Sequence, residues 1–342
     1  MRKISVIMPC YNAAEYLQHS VESILQQTIG MENVEIIMVD DASTDRGATL
    51  EIMMSYEKKY PENIMVIPLE QNMRQGGARN VGITYATGEY MIFCDADDCL
   101  AKVALERLYR VAVRHDADVV EFRAMNISDY DEITDEVQSG GQDYLIDIDT
   151  VDKRKEIIQL SMDNFSLGCL RKLYRTSLIQ NNQIRFAEHL ICEEPSFTLP
   201  VRFYEKRHYF LDEKLYHYYL SPNSTMRSNW GERQWDNMQV WLILLQDLGQ
   251  RGLLQQYYAE IESMFFDWCY RLSIAMMHQR GQLLTGDGLE LLRNTVLKVF
   301  PNVRENKYLT DEKGQKLLKI FDLDYKGMDI HEMNQVLKEA MR

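Results

Sequence analysis

Glu89-Tyr90-Met91-Ile92-Phe93-Cys94-Asp95-Ala96-Asp97-Asp98 is an apolar run of strand length that ends in three carboxylates within four residues. In an open α/β sheet, ligands bind just beyond the carboxyl ends of strands. The stretch therefore reads as a buried strand whose mouth carries negative charge. Carboxylates this close repel one another unless a cation or hydrogen-bond donors compensate them. An all-oxygen set suits a hard divalent ion such as Mg2+ or Mn2+, which keeps several waters and bridges to a substrate phosphate. The competing reading is a polar turn in which Asp98 caps a helix over 101–115.

The segments before it supply the rest of such a sheet. Ile4-Ser5-Val6-Ile7-Met8, stopped by Pro9, Val34-Glu35-Ile36-Ile37-Met38-Val39 and Ile64-Met65-Val66-Ile67 read as short buried strands. Helical spacing from Ala13 to about Thr28, and a helix from an N-cap at Ser43 to about Tyr60, separate them. Asn72-Met73-Arg74-Gln75-Gly76-Gly77-Ala78-Arg79-Asn80-Val81-Gly82 runs from a glycine-containing loop into a further helix. Alternation of strand and helix at this spacing predicts crossover units, an α/β class and a mainly parallel sheet. The loops after its strands converge on one edge, where Tyr11, Asp41 and Asp95 to Asp98 could meet. The glycine loop is not a Walker sequence, and no G-x-G-x-x-G follows the first strand, so a nicotinamide-binding fold is not expected.

Beyond 115 the pattern loosens. Asp118–Phe122 reads as a strand, 126–152 as an acidic surface excursion, and 153–163 and 171–181 as helices or turns. His208–Leu211 and Leu215–Tyr219 read as two strands joined by Asp212-Glu213-Lys214, with His217 packed among aromatics. Glu193-Glu194-Pro195 places Glu194 at or next to the N-cap of a helix running to about Tyr204, because proline suits a first helical turn. A carboxylate there faces the positive end of the helix dipole, which favours its ionised form, as a general base requires. A plain capping glutamate fits the same local pattern. From Trp230 onward helical patterns cover about 232–248, 253–279, 286–299, 311–322 and 329–341, with broad apolar stripes. A homodimer through these helices and a peripheral membrane contact are partners those stripes allow.

Composition narrows the class. The 342 residues carry 38 Lys and Arg against 52 Asp and Glu, a net charge of −14. That charge excludes general nucleic-acid binding through phosphates. No run of about 18 apolar residues is present, so no transmembrane helix is expected. Met1-Arg2-Lys3 leads straight into a strand, which predicts no export signal and a cytoplasmic protein whose six scattered cysteines are reduced.

Taken in order, Ser5–Asn12, Val39–Asp45, Gly77–Gly82, Ala86–Tyr90, Asp95–Asp98, Lys172-Leu173-Tyr174-Arg175 and Glu193-Glu194 resemble the family 2 glycosyltransferases with the GT-A fold, inverting nucleotide-sugar enzymes that include builders of bacterial surface polysaccharides. The likeness covers roughly residues 3–226. It implies a GT-A domain over 1–226, with a nucleotide-binding half (1–115) and an acceptor half (116–226), and a helical domain over 227–342 outside the match. The resemblance further implies that Tyr11 stacks on a uracil ring and Asp41 bonds its edge, with Pro9 and Ala96 lining the nucleotide. Asp95 and Asp97 fill the D-x-D positions, Asp97 nearest a Mn2+ or Mg2+ ion and Asp95 nearer the ribose. Arg79 would lie near the diphosphate or brace its loop. Glu194 stands where the family usually carries aspartate as catalytic base, one methylene longer, and Arg74 where many relatives have glycine. The implied activity is metal-dependent transfer from a nucleotide-sugar, a UDP-sugar above all, to a glycan or lipid-linked glycan, at the membrane's inner face. A nucleotidyltransferase, or a GT-A-like scaffold whose activity has lapsed, are the alternatives.

Overall fold

The computed structural model describes residues 2–163, 167–221, 233–274 and 285–324, with positions 331, 334, 335 and 337. Internal packing divides the chain into two compact units. The first comprises 1–154 and 166–227, the second 155–165 and 228–342.

In the first unit, β1 (Ile4–Cys10), β2 (Val34–Asp40), β3 (Ile64–Pro68) and β4 (Tyr90–Phe93) are the strands named above. They alternate with α1 (Leu17–Leu25), α2 (Ala48–Lys59) and α3 (Arg74–Tyr85). Their order is β3-β2-β1-β4, all parallel. Parallel strands buried on both faces read as unbroken apolar runs, and β1 is buried throughout. One face of β1 (Ile4, Val6, Met8, Cys10) packs in a core that contains Leu17 and Val21 of α1 and Met53 of α2. Ile7 and Ile37 pack on the other side with Ala78 and Ile83 of α3.

Beyond β4 the sheet becomes mixed. β5 (Cys99–Leu100), α4 (Ala104–Arg114), β6 (Val119–Ile127), β7 (Tyr144–Asp147) and α5 (Val151–Asp163) come next in the chain. β8 (Lys172–Arg175), α6 (Thr176–Asn181), α7 (Glu194–Tyr204) and β9 (Arg207–Tyr219) complete it. The sheet runs on as β4-β8-β6-β9-β5, with β7 on β9. β8 is antiparallel to both β4 and β6, whereas β6 and β9 are parallel. The α/β class and the helical C-terminal region hold; the purely parallel order is confined to the first four strands.

Several local expectations are corrected. The 171–181 segment holds the central strand β8, because Lys172 is buried with its ammonium on the Gly168 carbonyl (2.7 Å) and near Glu121 (3.7 Å). The two strands expected at 208–219 are one, with Asp212–Lys214 taken up as a bulge opposite Phe122 and Arg123. Ser43 does not cap α2: its hydroxyl bonds Asp40, and the helix begins after Gly47 in a left-handed conformation (φ 89°). Asp98 caps no helix either, since α4 starts at Ala104.

The second unit is helical, with α8 (Arg233–Gln250), α9 (Leu253–Gln256) and α10 (Tyr258–Phe265), the last running into a π-helical stretch at Phe266–Leu272. α11 (Gly286–Val299) and α12 (Glu312–Phe321) follow. Trp241, Phe265 and Phe300 meet in its core, while Leu242 and Ile243 face outward. Among the described residues no helix is long and apolar enough to cross a membrane. The end of the 253–279 pattern, most of 329–341, residues 164–166 of the irregular stretch and Pro222-Asn223-Ser224 lie outside the described residues.

Gly88 marks how closely β1 and the lead into β4 approach: a Cβ there would stand 2.6 Å from the Ser5 amide nitrogen and 2.8 Å from the Ile4 carbonyl carbon. Backbone cannot give way as a flexible side chain can, so Gly88→Ala should cost about 1–3 kcal/mol. An unchanged denaturation midpoint would show the strands able to move apart.

Candidate active site

Four chain reversals build the rim of the parallel strands, and hydrogen bonds tie each to the next. After β1, the Cys10 carbonyl accepts from the Asp41 N–H (2.8 Å), and the Asn12 N–H donates to Ser43 Oγ (3.0 Å). Asn12 Oδ1 accepts in turn from the Thr44 N–H (2.7 Å). After β2, Asp41 is buried, and its Oδ1 accepts from the Met73 N–H (2.6 Å) where α3 begins. Asn12, Ala42 and Arg74 all adopt positive φ, conformations that cost energy and collect at functional sites. Tyr11, next to Asn12 in the chain, is 47% exposed. Pro9 lies inside β1, opposite Val39, rather than ending the strand. Ala96 is buried, with its carbonyl accepting from the Ser20 hydroxyl (2.8 Å).

Arg79 differs from one of its expected roles. It is 1% exposed, so its guanidinium offers no face to a nucleotide. Its Nη2 donates to Asp95 Oδ1 (2.9 Å) and its Nη1 to Glu193 Oε1 (2.5 Å). It is the brace that joins the end of β4 to the start of α7. Gly76 and Gly77 allow this: a Cβ on Gly76 would collide with the Ala187 carbonyl and stand 2.9 Å from Glu193 Cγ.

The three carboxylates after β4 have separate environments. Asp95 is the partner of Arg79. Asp98 is buried, accepting from the Tyr216 hydroxyl (2.7 Å) and the Tyr219 N–H (2.8 Å). Burial, Asp95 and Asp97 hold its carboxyl well above the usual range. Asp97 has no ion-pair partner among the described residues, and burial together with Asp95 pushes its carboxyl up to about 6. Its backbone carbonyl accepts from the Tyr130 hydroxyl (2.8 Å). No three His, Cys, Asp or Glu side chains among the described residues form a closed metal cage. The arrangement fits an ion held by Asp97, with Asp95 beside it, whose remaining positions belong to water and phosphate, the usual Mg2+ pattern. An unpaired carboxylate short of positive charge is the observation behind that fit.

Across the rim, Glu194 is the first residue of α7 and Pro195 the second, with Glu193 in the cap position. Glu194 Oε1 accepts from the Cys169 N–H (2.8 Å), and the residue is partly exposed. Glu193 is buried; desolvation outweighs Arg79, and Glu194 adds to it, lifting its carboxyl to about 7. The two neighbours therefore differ: Glu193 is buried on Arg79, and Glu194 is partly exposed and held by the Cys169 N–H.

Sequence reasoning missed the tyrosines. Tyr216 bonds Asp98 and Tyr130 the Asp97 carbonyl, and Tyr130 comes from the 126–152 stretch expected to be mere surface. Tyr130 stacks between His19 (4.0 Å) and Tyr219 (4.6 Å). Period-two alternation along 215–219 was the one available signal, and it does not say which face meets the site. His217 is packed as expected: buried, and held below its ordinary value by desolvation.

With this geometry in place, the comparisons fall into line. Residues 5–162 match the model of glycosyl transferase family 2. The chain carries a family 2 glycosyltransferase domain, and its fold is the GT-A fold. A poly(ribitol-phosphate) beta-glucosyltransferase of Bacillus spizizenii is 35% identical over 199 residues, 58% of this chain and 29% of that protein. The poly(ribitol-phosphate) beta-N-acetylglucosaminyltransferase TarP of Staphylococcus aureus is 30% identical over 67% of this chain and 65% of its own. The chain thus spans less than two thirds of these curated relatives. The crystal structure of S. aureus TarS 1–349 in complex with UDP-GlcNAc superposes with a TM-score of 0.66 at 22% identity, over 98% of this chain and 91% of that one.

Asp97 supplies a pH signature. Its folded value of about 6 exceeds its ordinary 3.8, so the folded state holds this proton more tightly than the unfolded chain does. The resulting stabilisation is complete below about pH 4 and lost as pH rises through 6. Without divalent ion, Asp97→Asn should unfold later than the unaltered chain at pH 8, by on the order of 1–2 kcal/mol, and match it at pH 4. An equal difference at both values would mean that Asp97 is solvated normally.

Proposed function

We propose that this chain is an inverting glycosyltransferase that moves a sugar from a UDP-sugar to a hydroxyl of an anionic polyol-phosphate polymer or a related surface glycan. The observation that carries the reading is the Arg79 bridge, which fixes the cation-type carboxylates of β4 and the start of α7 to one another. A donor site and a proton acceptor are then parts of one rigid rim. An exposed Tyr11 ring after β1 and a buried Asp41 after β2 suit a base that stacks and bonds through its edge. UDP-GlcNAc bound to a protein of the same fold supports uridine as that base. The names of the relatives support a polyol-phosphate acceptor, and the absence of a membrane-crossing helix among the described residues fits an enzyme working beside a membrane.

In this mechanism Glu194 takes the proton from the acceptor hydroxyl, whose oxygen attacks the anomeric carbon from the face opposite the diphosphate. The bond from that carbon to the diphosphate oxygen breaks, and UDP leaves with the electron pair. A Mn2+ or Mg2+ ion at Asp97 and Asp95 would offset the charge that gathers on the leaving diphosphate. The Cys169 N–H holds Glu194 in position. Holding donor and acceptor in line supplies much of the remaining acceleration.

Release of UDP from a panel of UDP-sugars, with and without Mn2+ and a polyol-phosphate acceptor, tests the reading directly; no UDP from any of them, with pyrophosphate released instead from UTP and a sugar 1-phosphate, would make it a nucleotidyltransferase. Glu194→Gln should lose roughly 10²–10⁴-fold in transfer while UDP affinity stays unchanged. Normal turnover by that variant would reduce Glu194 to a helix cap. Asp97→Ala should abolish the gain in UDP affinity that Mn2+ brings; calorimetric titrations showing the same gain in both proteins would remove Asp97 from the site.

A further inference from the structure

The end of β9 holds a group that the proposed mechanism leaves unused. Alternate residues of a strand share a face, so Tyr216 and Tyr218 point the same way. Tyr216 faces the carboxylates: its hydroxyl donates to Asp98 Oδ2 (2.7 Å) and accepts from the Asp95 N–H (3.2 Å). The N–H of Tyr219 holds the other oxygen of Asp98 (2.8 Å). Asp98 is therefore gripped from both sides of Tyr218, which fixes where the Tyr218 ring starts. That ring packs on the core formed by β1, β4 and β9. Its hydroxyl has no hydrogen-bond partner among the described residues, although its two tyrosine neighbours at the site, Tyr216 and Tyr130, each have one.

Resting on the nucleotide-sugar reading above, we infer that the Tyr218 hydroxyl touches the substrate, donating a hydrogen bond to a hydroxyl oxygen of the donor's sugar ring. Burial is the main cause that pushes this phenol up to about 12, and the charges of Asp98, Asp95, Asp97 and Glu194 add to it. Tyr218 shares its face of β9 with Tyr216, whose hydroxyl meets Asp98 and the Asp95 N–H, so its ring starts beside the carboxylate loop that the donor must approach. The Tyr218 phenol stays protonated at neutral pH and is a donor without an acceptor. The diphosphate oxygens belong with the cation at Asp97, which leaves the sugar hydroxyls as the oxygens within its reach. A neutral donor is also the group that can stand amid four carboxylates without neutralising those that the cation needs.

The test compares the full chain with Tyr218→Phe and Tyr218→Leu, using the UDP-sugar that the unaltered chain turns over best. Tyr218→Phe removes one oxygen and keeps the ring. Its expected result is UDP affinity within twofold of the unaltered chain, and kcat/KM for the UDP-sugar lowered about tenfold or more, both in transfer and in slow hydrolysis without acceptor. Kinetics of Tyr218→Phe equal to the unaltered chain, with loss only in Tyr218→Leu, would make the ring a packing element and overturn the inference. A loss confined to transfer, with hydrolysis unchanged, would also overturn it by placing the hydroxyl on the acceptor. A fall in UDP affinity matching the fall in kcat/KM would do the same. Absence of turnover by the unaltered chain on every nucleotide-sugar sinks the parent reading; normal turnover by Tyr218→Phe sinks this one alone.

Discussion

The site depends on a guanidinium that has no access to water. Burying a charge is costly unless it is paired and hydrogen-bonded, so Arg79 must be met by carboxylates wherever the chain folds to enclose it. Asp95 and Glu193 meet it, from segments far apart in sequence. The bidentate fork of arginine sets the direction as well as the distance of both partners, which a lysine could not do. The end of β4 with its loop and the start of α7, whose Phe93 and Phe197 also pack together, are thus locked in one geometry. The balance of charge is deliberately incomplete: one cation serves Asp95 and Glu193, with Asp97 and Glu194 nearby. The remedy is written in the raised values of Asp97 and Glu193. Protons stand in where positive charge is lacking, and a divalent ion arriving with a diphosphate would displace one of them at Asp97.

Around this excess of negative charge the fold places phenols rather than ammonium groups. Tyr216 and Tyr130 are both pushed up by burial and by neighbouring acids. They remain neutral donors, fixing Asp98 and the Asp97 carbonyl without taking charge away from the ion's site. Lysines in the same places would pair with the carboxylates and occupy the position the cation needs. Tyr130 shows how far the chain reaches to supply such a donor. Its loop is acidic and turn-rich, yet its ring is held in a stack with His19 and Tyr219.

The legible parts of this molecule are those where local chemistry and burial agree. β1, β2 and β4 are apolar because helices cover both faces, and each ends in polar residues because it ends at the ligand edge. Glu194 could be placed at a helix start from Pro195 alone. β8 was illegible because its burial is electrostatic: Lys172 and Arg175 read as surface, and only the fold reveals Glu121 and Asp118 opposite them. Asp212-Glu213-Lys214 carries the composition of a turn, but a strand can absorb extra residues as a bulge when its partner bends with it. The resemblance offered bracing as one of two roles for Arg79, but its partners Asp95 and Glu193 were out of reach for the same reason as β8, since they are fixed by tertiary contact and not by spacing.

The proton acceptor proposed for this site must be held to fractions of an ångström if it is to act, and α7, which carries it, is secured at both ends. At its start, Glu193 is clamped by Arg79, while the Ser196 hydroxyl bonds the Glu193 carbonyl (2.5 Å) and accepts from the Ala187 N–H (2.8 Å). At its far end, buried Arg202 donates to Glu205 (2.9 Å) and Glu121 (3.2 Å), and His208 lies against the same two acids. Arg202 and His208 together hold Glu205 down to about 2 against the cost of its burial. Glu121 and Glu205 are thus both held below the usual carboxylate range, and an arginine gripped by two carboxylates pins the far end of the helix. Arg79 and Glu193 do the same at its start, so the proposed acceptor Glu194 is carried on a helix held at both ends.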